Sequence, residues 1–238
     1  MVVSCSENYS YLNSIEFTSI VYHCLTIVEV PIHVYVGYLI LFKSPNSMKT
    51  VKWYMFNVHF WISLLDVSFS FLTAPYILFP TFSGYGSGFL MWLGVDPFVQ
   101  TTLVIILTGT TVLSIAVLFE NRYTIMDSSY GFWSHVRKSL LIIFQLAAVT
   151  YFIPFYYLLP DQTSGLEVIM EVFVRSYEED VTAINNICLL IVSNHGIVTT
   201  ISIMFIHKPY RDATFRYLRT ERKPKAEPFS VVLPTAIA

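Results

Sequence analysis

The sequence predicts an all-α fold, a polytopic transmembrane helical bundle of five spans, on three observations. Of its 238 residues 55% are hydrophobic and 13% charged, and that charged share is about half of what a soluble domain carries. Five apolar runs are each long enough for a helix to cross a hydrocarbon core about 30 Å thick. Thirteen of the fourteen Lys and Arg residues fall on one side of these runs. Because the runs are continuous rather than alternating, helices and not barrel strands are what would satisfy the backbone in lipid.

In chain order, residues 1–16 read as an extracellular tail. They hold no cation and no signal-peptide core, so the first span is expected to act as an uncleaved anchor. Asn8-Tyr9-Ser10 makes Asn8 a glycosylation candidate. The spans follow at about 17–42, 53–79, 97–119, 140–159 and 183–206, within a bundle of 17–206. The first run is interrupted by Glu29 and the second by Asp66, and the other three contain no Asp, Glu, Lys or Arg. Lys43, Lys49 and Lys52 lie between runs one and two, Arg122, Arg137 and Lys138 between three and four, and seven more cations beyond the fifth. By the positive-inside rule that side is cytoplasmic, with the N-terminus outside and the C-terminus inside. The opposite side carries acidic residues such as Glu7, Glu167 and Glu178. Residues 207–238 form a cytoplasmic tail that opens with a short amphipathic helix over Arg211 to Arg219, Phe215 and Leu218 facing lipid and Arg216 and Arg219 the headgroups.

The polar residues inside the spans are few and costly. A charge at mid-bilayer costs at least ~3 kcal/mol on insertion scales, so Glu29 and Asp66 should face the bundle. His33 follows Glu29 by four residues on the same helix face, with Pro31 between them expected to kink the helix. Two readings stand for this group: a ligand or ion site, or a polar clasp between spans one and two made with Asn57 or His59, the clasp carrying more weight. The third span's Gln100, Thr101, Thr102, Thr108, Gly109, Thr110, Thr111 and Ser114 favour close helix packing. Asn194 and His195, in a polar streak of the fifth span, are the remaining intramembrane candidates. Aromatics at the span ends, Trp61 and Trp92 among them, fit an interfacial belt.

Several function classes recede. Cys5, Cys24 and Cys188 show no metal-ligand or disulfide spacing, so no metal and no cofactor is expected. The chain lacks GxSxG, HExxH and phosphate-loop motifs, which argues against an enzyme. The low net charge offers nothing to nucleic acid. Similar halves with paired broken helices, the mark of many transporters, are missing.

The run Leu118-Phe119-Glu120-Asn121-Arg122-Tyr123, at the cytoplasmic edge of span three, resembles an FENRY-like element of the nematode serpentine receptors of class H (Srh), chemoreceptor-type seven-transmembrane proteins. Phe60-Trp61 through Asp66 to Pro75-Tyr76 and Phe79-Pro80 resembles that family's second span. Gly84-Tyr85, Gly88, Leu93-Gly94-Val95 and Val99-Gln100 resemble the approach to its third. His195-Gly196, Met204 and His207-Lys208-Pro209-Tyr210-Arg211 resemble the end of its seventh. The resemblance covers about Phe17 to Leu218 with one gap: Leu140 to Pro160 is similar to span four, yet the next run is already similar to span seven. Spans five and six are missing, and parity is kept.

The resemblance implies rhodopsin-like ancestry, a plasma-membrane receptor, a small environmental ligand of unknown identity and a heterotrimeric G protein as partner. It also implies that Glu120 and Arg122, with Tyr210 and Arg211, face that G protein, Glu120 and Arg122 acting as the acidic-Arg pair of an inactive state. A chain short of two spans is expected not to signal alone and to risk retention in the endoplasmic reticulum. Two other hypotheses remain open: a non-signalling membrane partner of another receptor chain, and a small transporter or channel subunit.

Overall fold

A computed structural model describes residues 11, 14–78, 83–126, 132–151, 154, 157 and 179–220. The expected tail with Asn8, the loop residue Glu167, and everything beyond Thr220 lie outside the described residues. Within them the fold is mostly helical. Helix α1 runs Ile15–Phe42 and α2 Lys49–Val67, α2 continuing through a π-helical turn Ser68–Thr73. A two-stranded antiparallel hairpin follows, β1 Pro75–Leu78 against β2 Ser83–Gly86, with Tyr76 opposite Tyr85. Then come the single turn α3 Phe89–Trp92, α4 Pro97–Met126, α5 Phe132–Thr150, α6 Glu179–Ser193, α7 His195–Ile206 and α8 Lys208–Thr220.

Four stretches are long and apolar enough to cross a membrane: Ile15–Phe42, Val51–Thr73, Pro97–Ile125 and Asn186–Ile206. The fourth expected span appears as the shorter apolar helix Ser139–Thr150. Helices apolar on every face belong in lipid, and large apolar side chains such as Ile27, Val34, Val112, Ile142, Ile191 and Ile206 are exposed all around the bundle.

Local chemistry sets the ends. Ser14 caps α1, its hydroxyl oxygen accepting from the Phe17 N–H at 3.1 Å, and Asp96 caps α4 by accepting from the Phe98 N–H at 2.8 Å. Pro31 stays inside an unbroken α1 instead of dividing it. The second span does not run on to Phe79 as the sequence suggested. Pro75 has no N–H to continue a helix, so the last turn loosens, the Ala74 N–H bonding to Phe69 O five residues back at 3.0 Å. Ala74 then turns left-handed at φ 38° and sends the chain into β1. The Ser68, Ser70 and Thr73 hydroxyls bond back onto backbone carbonyls through this turn. The fifth span is likewise broken, at Asn194 between α6 and α7.

The apolar core sits at the α8 end of the bundle. Val36, Leu39 and Ile40 of α1, Val51 and Met55 of α2, and Tyr210 of α8 are buried together, with Leu118, Ile203 and Met204 packed against them. Thus the first, second, third and last spans meet at one end around a tyrosine. Toward the middle of the bundle the buried residues become polar.

Ala74 is fully buried as well as left-handed. Ala74→Gly should relieve backbone strain while losing one buried methyl, leaving stability within about 1 kcal/mol of the parent. Ala74→Val, β-branched at positive φ in a filled site, should cost more than about 2 kcal/mol. Melting of the purified protein in detergent, followed by size-exclusion chromatography, checks this order.

Candidate functional site

The polar residues of three spans converge at mid-bundle. On α1, Glu29 and His33 lie one turn apart and are both buried. On α2, His59, Asp66 and Ser70 are buried on the facing side. The Ser70 hydroxyl donates to Glu29 Oε2 at 2.8 Å and also reaches Asp66 O at 2.9 Å. His33 Nε2 lies 3.0 Å from Asp66 Oδ2, and its Nδ1 meets the Thr200 hydroxyl of α7 at 3.2 Å. His59 Nε2 donates to the His33 backbone carbonyl at 2.9 Å. One imidazole, His33, therefore touches the second and the last spans at once.

The break at Asn194 gives this cluster its third side. Helix α7 starts afresh at His195, so its first N–H groups have no carbonyl within the helix. The Gly196 N–H is directed at the Asp66 carboxylate, and His195 is close enough to interact with it electrostatically. A helix N-terminus carries a partial positive charge, so a carboxylate from α2 caps α7 across the bundle. Gly196 is what allows it, because a Cβ there would overlap the Asp66 carboxylate. Asn194 turns its own amide back to Leu190 O at 2.6 Å.

All five intramembrane candidates thus come to one neighbourhood, though on different terms. Glu29, His33 and Asp66 are buried within it, Asn194 is the half-buried break, and His195 is exposed at its margin. Of the two neighbours expected for the clasp, His59 takes part, whereas exposed Asn57 accepts from Trp61 Nε1 at 3.2 Å. Ser70, Thr200 and Gly196 were not anticipated. Ser70 follows Asp66 by four residues and Thr200 follows Gly196 by four, so same-face spacing was the available signal. Among the described residues no group of three or more His, Cys, Asp or Glu is placed to hold a metal ion.

The other candidates lie at the α8 end. Glu120 pairs with Arg137 of α5, Oε1 to Nη1 3.2 Å, and accepts from the Thr124 hydroxyl at 2.8 Å. The expected acidic partner of Arg122 is therefore engaged by a different arginine, one helix away. Arg122 is exposed and near enough to His207 to act on it: burial first, then the Arg122 charge, holds the His207 imidazole below its ordinary pKa. Tyr210 is buried, its hydroxyl 2.8 Å from that of Ser44, while Arg211 is exposed. Burial pushes the Tyr210 phenol above its ordinary range, with the Ser44 bond pulling the other way. Tyr35 donates to the Thr214 hydroxyl at 3.2 Å, and Lys52 donates to Leu41 O.

A protein-family model described as the serpentine type 7TM GPCR chemoreceptor Srh matches residues 13–182 and 168–220. Among curated proteins the chain is similar to serpentine receptor class H-72 of Caenorhabditis elegans, 28% identical over 138 residues. That match covers 54% of this chain and 40% of the relative's length. No solved structure matches significantly.

Two outcomes are expected of these contacts. Gly196→Ala should lower the yield of folded protein several-fold by driving a methyl into the Asp66 carboxylate, and Asp66→Ala should restore part of that yield in the double variant; gel-filtration profiles of tagged protein report both. Acid should destabilise the α8 end through His207: its folded pKa is depressed, so as pH falls through about 6.5 the unfolded chain takes up a proton that the folded chain resists. Melting at about pH 7.5 and pH 5.5 should show this loss shrinking in Arg122→Gln, which removes the neighbouring charge.

Proposed function

Because the chain belongs to the class H family of serpentine seven-transmembrane chemoreceptors, we propose that it is a chemoreceptor-type, G-protein-coupled receptor relative that lacks two spans and does not signal alone. It is an integral membrane protein. In this reading it sits in the plasma membrane with α8, Arg122, Tyr210 and Arg211 on the cytoplasmic side, where a heterotrimeric G protein would dock. The observation that carries the shortening is the overlap of the two family matches at residues 168–182. The stretch between Thr150 and Glu179 is too short for two further spans of about 20 residues each.

The physical reason for silence lies in what a switch requires. A ligand shifts a two-state equilibrium only through contacts that differ between the states, and in rhodopsin-like receptors outward movement of the sixth helix is a principal difference. Here the first, second and last spans are joined through His33 and Asp66, a joint that holds the bundle without supplying that movement. Glu120 engaged by Arg137 adds a second fixed contact beside Arg122.

A second reading, a membrane partner of another receptor chain, is favoured by the apolar outer faces of α4 and α5. Val112 and Phe119 on α4, and Ile142 and Leu146 on α5, are all more than half exposed.

Nucleotide exchange on purified G protein in liposomes separates these readings. The chain alone, tested with a broad odorant panel, is expected to leave exchange at its basal rate. Adding it to a full-length class H receptor should change that receptor's exchange or surface level if the second reading holds. Robust exchange from this chain alone, abolished in Arg122→Ala, would sink the proposal.

A further inference from the structure

At the end of the bundle away from α8 lies a cavity of about 560 Å³, walled by the π-helical turn of α2, the β hairpin, the start of α4 and Leu189 of α6. Its walls contain no Asp, Glu, Lys, Arg or His. An ion would lose its hydration there without a countercharge, so the cavity is suited to a neutral molecule. The volume falls within the range of small-molecule sites, roughly 300–1,000 Å³.

The polar side chains on the wall narrow the chemistry further. Gln100 is buried, 3% exposed. Its amide nitrogen donates to Val95 O at 2.8 Å, while Oε1 is buried with no hydrogen-bond partner. The Thr73 hydroxyl donates its proton to Ser68 O and the Thr101 hydroxyl to Pro97 O. Tyr76, also on this wall, has a partner of its own. Gln100 and both threonines therefore have acceptors left and their protons committed. A buried acceptor without a donor is costly, about 1–3 kcal/mol, and a ligand that brings a donor removes that cost.

The fold maintains this arrangement. Gly86 leaves room for the Gln100 amide, since a Cβ there would overlap Oε1 and Thr73 O. The hairpin that carries Gly86 is tied to α6 by the Ile77 N–H donating to Asn186 Oδ1 at 3.3 Å. Asn186 is itself buried.

We propose that this cavity binds a small neutral molecule bearing a hydroxyl or N–H donor on an apolar skeleton, the donor bonding to Gln100 Oε1. This deepens the receptor reading by naming the ligand class, and it is tested by binding alone, so loss of G-protein coupling does not bear on it.

The test uses the full chain in nanodiscs, with 4-phenyl-2-butanol and its ketone counterpart 4-phenyl-2-butanone as probes. Saturation-transfer NMR and equilibrium dialysis are corrected with empty discs of the same lipid. The alcohol should bind saturably and on the order of fivefold more tightly than the ketone, the worth of one hydrogen bond. Gln100→Met should abolish that preference, and Val104→Trp, which fills the cavity, should abolish binding of both. Melting curves of each variant confirm folding; if Gln100→Met does not fold, the alcohol-to-ketone ratio on the parent chain and the Val104→Trp result decide. Equal or weaker binding of the alcohol, binding that survives Val104→Trp, or no saturable binding above empty discs would overturn the assignment.

Discussion

The bundle depends on placing one carboxylate, that of Asp66, in a medium that does not solvate it. In the middle of a bilayer a charge or an unpaired polar group is expensive, and every protein group that relieves it must be supplied from a fixed direction. Here the relief comes from three sides: His33 of α1, the opened start of α7, and the hydroxyl of Ser70, which joins Asp66's own backbone to Glu29. The break in the last span, the glycine after it and the histidine on the first span make physical sense only together. Remove the carboxylate, and a helix start is left in the bundle with nothing opposite it.

This explains why the polar middle is more specific than the apolar end. Around Tyr210 the packing of Val36, Leu39, Ile40 and Met55 is a matter of volume, and aliphatic side chains of similar size can replace one another. Around Asp66 each partner is set by direction and by hydrogen count. A methyl group at position 196 is excluded, although it would be welcome on most membrane helices.

Much of this was legible in the sequence, for a plain reason. Runs of apolar residues and the placement of cations are one-dimensional signals, and in lipid they translate almost directly into spans. The four-residue spacing of Glu29 and His33 likewise shows on paper which residues share a face. Which face meets which is another matter. Nothing local told Asp66 to prefer the start of α7, or Glu120 to take Arg137 over the neighbouring Arg122, because these choices are made by how distant helices stack. The end of the second span was misplaced for a related reason. Hydropathy runs smoothly through Ala74 and Pro75 to Phe79, whereas hydrogen bonding does not, and a proline without an N–H outweighs continued hydrophobicity.

The bonds between α1 and the end of the chain span very long distances in sequence. His33 and Thr200 are 167 residues apart, Ser44 and Tyr210 166, and Tyr35 and Thr214 179. Synthesis runs from one end, so α1 enters the membrane with Glu29 and His33 long before α7 and α8 exist to receive them. During that interval these side chains must find water, the insertion machinery or a chaperone. The last helix to be made thus closes the ring around the first, and biogenesis of the bundle is governed by how long its opening span can wait.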